Sequence, residues 1–261
     1  MQGQGRNMSD PEIEFGPDLP CVYADLRFLS DDNRYVQEKP YYFAGSLGPG
    51  QEHLRTNLCY TNHTMQIRDL RGRHHELSIE KNGFEFIDYQ MNVKFTKGAD
   101  EPEKLRQYMS EVIQLFRRTK QKNITAGIPA GTMSVPDQAA ETLHTDHTIQ
   151  GGPRRIRASL TEHDLQKYSN GNWRLRIVNT WAVLFEPVVD DPLTLCDGFT
   201  VQPEDLVAGD RISGDKSYVG EIYHIRHNPE QKWYYLSHQT PEELLLFVSY
   251  DSKEEFGPAC E

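Results

Sequence analysis

The chain has 261 residues and a formal net charge of -11, from 39 acidic and 28 basic side chains. That surplus argues against nucleic acid and against an anionic membrane surface, both of which need a basic footprint. No apolar run approaches the ~20 residues of a membrane span, and residues 1–20 lack the basic and then apolar form of a secretory signal.

The four cysteines, Cys21, Cys59, Cys196 and Cys260, are far apart. Without a Cys-x-x-Cys pair, neither a zinc site nor a disulfide framework is indicated. A soluble cytoplasmic protein with reduced thiols is expected. The length suffices for a sizeable core. Nothing in the chain specifies an oligomeric state.

Residues 1–20, polar with several Gly and Pro, read as a flexible arm. Residues 21–261 read as a single domain. From Cys21 to Lys97 short apolar or alternating runs predict strands and loops: Tyr41 to Phe43, Met65 to Ile67, Leu77 to Ile79 and Val93 to Phe95. Residues 101–119 predict a helix, with Leu105, Tyr108, Met109, Val112, Ile113 and Phe116 forming one apolar stripe. Residues 124–141 carry Gly127, Pro129, Gly131 and Pro136 and predict a loop.

Next comes Thr142-Leu143-His144-Thr145-Asp146-His147-Thr148. On an extended strand, residues i and i+2 point to one face. His144 and Asp146 would then converge as two ligands of a divalent metal must. His-x-Asp with a distant third ligand is the sequence form of the facial triad that binds ferrous iron. The bland alternative is two polar residues on a solvated strand.

Gly151-Gly152-Pro153 is read as the end of that strand. Residues 161–170 predict a short helix capped by Thr161. The remainder reads as β: 173–181, 192–197, 220–227, a turn at 228–231, then 232–236 as a hairpin partner, and the apolar run Leu244 to Val248. Strands at this spacing after one long helix indicate a barrel or sandwich with flanking helices.

Asn179-Thr180-Trp181, Pro192 to Asp197, Glu204 to Val207, Gly220 to Tyr223, Trp233-Tyr234-Tyr235 and Tyr250-Asp251-Ser252 occur in this order. With His144-Thr-Asp146 they resemble the asaB-type hydroxylase/desaturase family, a largely fungal group that takes in gibberellin desaturases and CmcJ-type proteins. The resemblance covers roughly residues 75–258. It implies a mainly β fold with flanking helices, the double-stranded β-helix (jelly roll) of the iron(II)/2-oxoglutarate oxygenases, either complete or lacking its last strand. It also implies a role in specialised metabolism.

Two departures from the family pattern stand out. Ala259 sits where the family has the histidine that would be its third iron ligand. Ala182 replaces the arginine of the family's Asn-x-Trp-Arg-Pro. A segment carrying an arginine expected to hold 2-oxoglutarate is also missing. His147, His224, His227, His238 or Cys260 could substitute as ligand, although each has an ordinary structural reading.

Three functions are therefore weighed. The first is redox-neutral ring formation, such as a Diels–Alder cycloaddition, on an apolar terpenoid or polyketide-type substrate without cofactor. Proximity and a hydrogen-bond donor would carry it, with Arg174, Arg176, Asn179, Trp181, Tyr223, Tyr235 and His238 as candidate pocket residues. Only one strand parity of these can face inward. The second is an iron(II)/2-oxoglutarate hydroxylase or desaturase using His144 and Asp146. The third is a non-catalytic binding protein.

Overall fold

The computed structural model describes residues 19–97, 101–120, 142–168, 171–214 and 219–253. Cys260, Ala259, the 124–141 loop and nearly all of the expected N-terminal arm lie outside them. The architecture is mainly β, with three sheets and helices on the outside.

The first sheet contains β1 (Cys21–Leu29), β3 (Tyr60–Asp69), β10 (Trp233–Tyr235) and β7 (Leu195–Cys196) in the order β1-β3-β10-β7. β1 and β3 pair antiparallel over their whole length, while β10 runs parallel to β3 and antiparallel to β7. The second sheet places β11 (Glu243–Asp251) between β4 (Phe84–Asp88) and β6 (Arg176–Trp181), all antiparallel. The third has the order β2-β8-β9-β5, formed by β2 (Tyr41–Phe43), β8 (Leu206–Ile212), β9 (Val219–Ile225) and β5 (His144–Thr145).

The core follows from strand alternation. Phe84, Phe86, Leu245 and Phe247 of the second sheet meet Leu195 and Tyr234 of the first. Phe28, Met65, Ile67 and Trp233 of the first meet Ile225 of the third. The opposite face of β11, with Leu244, Leu246 and Val248, is covered by helix α1 (Pro102–Lys120) through Val112, Tyr108 and Leu115. β11 is therefore buried along all nine residues, which is why it reads as a continuous apolar run.

Several expectations are corrected. Residues 232–236 do not return beside β9: β10 joins the first sheet, where fully buried Trp233 lies opposite Ile67 and Cys196. The 228–231 turn carries the chain between sheets, fixed by the Gln231 amide donating to Asp205 and to the Arg226 carbonyl. Local alternation signals a strand but not its neighbour.

Leu77 to Ile79 and Val93 to Phe95 are not strands; Leu77, Ile79 and Val93 are buried anchors under irregular chain. Gly151-Gly152-Pro153 opens a helix, α2 (Gly151–Ser159), instead of merely ending a strand. Thr148 Oγ1 accepts from the Gly151 amide at 2.8 Å, and both glycines are buried against β9 and β11, where a Cβ would meet the Glu221 carbonyl or the Tyr250 ring. The short helix α3 (Glu162–Tyr168) begins as expected, with Thr161 Oγ1 accepting from the Asp164 amide.

Candidate metal and active site

His144 is held by the shortest of strands. It lies opposite His224, and Thr145 opposite Tyr223; the ladder ends there, and Asp146 turns away from it. The i, i+2 relation still brings the two side chains together, with His144 Nε2 3.9 Å from Asp146 Oδ1. This separation is beyond hydrogen-bond reach. Adjacent ligands of one cation, with bonds of ~2.1 Å, sit ~3 Å apart, so the pair must close by about 1 Å on binding a metal.

Both side chains are held from behind. His144 Nδ1 lies 2.9 Å from the Thr142 carbonyl. A carbonyl only accepts, so Nδ1 carries the proton, and in the neutral ring Nε2 is the ligating nitrogen. Asp146 Oδ2 accepts from the Asn179 side-chain amide. Such outer partners orient ligands in metal sites.

Asn179 reaches Asp146 from another sheet. On β6 it pairs with Phe247 of β11 and shares its face with Trp181, opposite Leu245. The alternate parity, Val178 with Val248 and Thr180 with Leu246, belongs to the face under α1. The site thus sits between the second and third sheets, against the buried aromatic cluster that Trp181 borders.

Two imidazoles beside the pair, His224 and His147, are held below the ordinary histidine range. Burial, and then the charge of His144, push His224 down to about 4. Burial also holds His147 below the usual histidine range, against the opposing pull of Asp146. His224 lies within contact distance of Gly209: a Cβ there would be 2.7 Å from the ring. Sequence reasoning missed this support, although a glycine inside a strand signals close approach.

The other candidates are dispersed. Arg174 and Arg176 both bind Asp251, at 2.6 and 2.5 Å, and both bind Glu80. Tyr235 lies on β10 in the first sheet, beside the Phe28–Trp233 cluster. His238 is exposed on a turn at φ 49°. The Tyr223 hydroxyl accepts from the Ile149 amide at 3.5 Å. Among the described residues, none of His147, His224, His227 or His238 joins His144 and Asp146 as a third converging donor. Ala182 packs against the apolar cluster under α1.

The chain is similar to known proteins over most of its length. Residues 26–260 match the family described as oxidoreductase/YMDC permease-like domain. No described helix is long and apolar enough to cross a membrane. The chain is 26% identical over 246 residues to the Fe(II)/2-oxoglutarate-dependent dioxygenase nvfI of Aspergillus novofumigatus, covering 88% of this chain and 84% of that one. It is 27% identical over 227 residues to the hydroxylase/desaturase efuI of Hormonema carpetanum, covering 76% and 75%.

A solved structure of the iron and alpha-ketoglutarate-dependent endoperoxidase NvfI superposes with a TM-score of 0.74 at 24% identity, over 92% of this chain and 88% of the other. The core is accordingly a jelly roll. With the match extending from residue 26 to residue 260, this chain belongs to the oxidoreductase/YMDC permease-like family and, within it, to the asaB-type hydroxylase/desaturase group of iron(II)/2-oxoglutarate oxygenase-related enzymes.

Proposed function

We propose that this protein is an iron(II)/2-oxoglutarate-dependent hydroxylase or desaturase of specialised metabolism, acting on an apolar small molecule. The observation that carries the reading is the convergence of His144 Nε2 and Asp146 Oδ1 at 3.9 Å, each side chain fixed on its far side. The donor set is right for iron(II): imidazole and carboxylate, two members of a facial triad. When bound, iron(II) with 2-oxoglutarate supplies the oxidising power for C–H oxidation. The chain's own share is to hold the metal with His144 and Asp146 and to lock both with the Thr142 carbonyl and Asn179. Trp181, partly buried at the border of the aromatic cluster and on the same face of β6 as Asn179, is the apolar side chain placed to meet the substrate.

A redox-neutral cyclase or Diels–Alderase-like pericyclase is the second reading. Ala182 favours it, because apolar packing occupies the position where the family pattern carries an arginine. In that case His144 and Asp146 act as an orienting or acid/base pair.

Metal analysis and 2-oxoglutarate turnover decide between the two. The first reading expects stoichiometric iron(II) uptake and succinate formation, both abolished in His144→Ala and Asp146→Asn. Chelator-insensitive cyclisation of a polyene substrate, with no 2-oxoglutarate consumed, would establish the second.

A further inference from the structure

Three side chains from separate segments meet at the start of β11. His74 comes from a turn of 3-10 helix, His74–Glu76. Asp88 ends β4 and Glu243 begins β11, and the two lie directly opposite each other in the ladder. Like charges so placed destabilise a sheet. Arg71 relieves part of this by forking onto both Glu243 oxygens, and Glu243 Oε2 also accepts from the Thr240 amide at 2.8 Å. A carboxylate has about four acceptor directions; these three bonds leave one on the Oε1 side, where His74 lies.

His74 Nε2 is 3.7 Å from Asp88 Oδ1 and 4.0 Å from Glu243 Oε1. Both distances are too long for hydrogen bonds. One donor atom from each of the three residues lies within 4.8 Å of the others. A tetrahedral zinc shell with bonds of ~2.1 Å sets its ligands ~3.4 Å apart. Asp88, 80% exposed, can swing in on its side; the 4.0 Å between His74 and Glu243 must close by about 0.6 Å through a small shift of the 74–76 turn to reach that spacing. The His74 ring packs edge-on against Phe86 at 6.0 Å, and its Nδ1 is buried with no hydrogen-bond partner. The ring is therefore positioned by packing, with Nε2 facing the carboxylates.

We propose that His74, Asp88 and Glu243 bind a divalent transition-metal ion, zinc(II) by their donor set, which ties the 74–76 turn to the β4–β11 edge. One imidazole and two carboxylates complete three positions and leave a fourth for water. With Arg71 still beside Glu243, the two carboxylates leave the filled site with one positive charge, which solvent at the exposed Asp88 screens. The site is separate from the His144 pair. Asn179, which holds Asp146, pairs with Phe247, four residues and about 13 Å further along β11.

The test is zinc(II) titration of the full chain against a chromophoric chelator, with cobalt(II) absorption as a second readout. In the His144→Ala/Asp146→Ala protein one equivalent should still bind, and zinc should raise Tm. Adding Asp88→Asn or His74→Gln should weaken binding at least tenfold and remove the Tm rise. Asp88 is exposed, so its variant folds even if the His74 variant does not. If the double alanine background is unstable, the wild type should lose one of two equivalents on Asp88→Asn. Zinc binding unchanged by Asp88→Asn, or no binding in the background protein, overturns the site. So does a His74 ring that titrates as an imidazolium by NMR and ignores zinc. Iron uptake at His144 is read separately, so the two assignments fail independently.

Discussion

The Asn179 amide donates to one oxygen of Asp146 while the other oxygen faces His144 Nε2 at 3.9 Å. This bond crosses from the second sheet to the third. Loss of such an outer partner typically weakens metal affinity 10–100-fold. Asn179→Ala should therefore weaken iron(II) binding by that range while the melting temperature stays near that of the parent. Isothermal titration with iron(II) or manganese(II) checks it, and wild-type affinity in the variant would remove Asn179 from the site.

Gly209 sits under the His224 ring, across the β9–β5 ladder from His144. Gly209→Ala puts a methyl 2.7 Å from His224 Cδ2. The ring must move, at the ~1–3 kcal/mol usual for overpacking. Metal affinity should fall as well, because β9 carries the strand that presents His144. Urea denaturation and metal titration on the same variant report both effects. An alanine with unchanged stability would mean that the sheet yields without strain.

Asp251, with a side chain only 3% exposed, receives both Arg174 and Arg176. The two arginines also share Glu80, whose pKa the Arg176 guanidinium holds below the usual carboxylate range. Removing the buried negative charge leaves two cations facing each other with only the half-exposed Glu80 for compensation. Asp251→Asn should cost about 3 kcal/mol, the lower end for breaking a buried pair. Denaturant unfolding measures this, and a loss below about 1 kcal/mol would show that Glu80 suffices.

Stability should fall as the solution is acidified. The His224 pKa is depressed to about 4 by burial and by the charge of His144, from an ordinary 6.5. Between those pH values the unfolded chain binds a proton that the folded chain refuses. The metal-free protein therefore loses on the order of 3 kcal/mol as pH drops across that window. Below about 4.5, carboxylates whose pKa is lowered in the fold, Glu80, Glu221 and Glu243, add to the loss. His224→Asn should reduce the slope above pH 4.5 by one proton in urea titrations, and an unaltered slope would exclude His224 as its source.

Much of the architecture was legible locally. The apolar run at Leu244 to Val248, the helix over 101–119 and the cap at Thr161 each depend on residues within a few positions of one another. The His144–Asp146 convergence was legible for the same reason, since a two-residue offset on extended chain determines a shared face. The motifs quoted for the resemblance pointed to the family, and the match over residues 26–260 bears it out.

What the linear chain could not display was adjacency between distant segments. Arginine beside an alternating strand looks the same whether it lines a pocket or binds a buried carboxylate; only the fold brings Arg174 and Arg176 to Asp251, more than seventy positions away. The bond from Asn179 to Asp146 likewise joins segments 33 positions apart and depends on the parity of β6, which only the fold displays. β10 left its supposed hairpin because Trp233 found an apolar neighbour in another sheet. The sequence by itself determined which residues share a face and which faces must be buried, because these follow from backbone periodicity and transfer from water. The tertiary structure alone decided which face meets which, because the register between sheets is a property of packing many side chains at once.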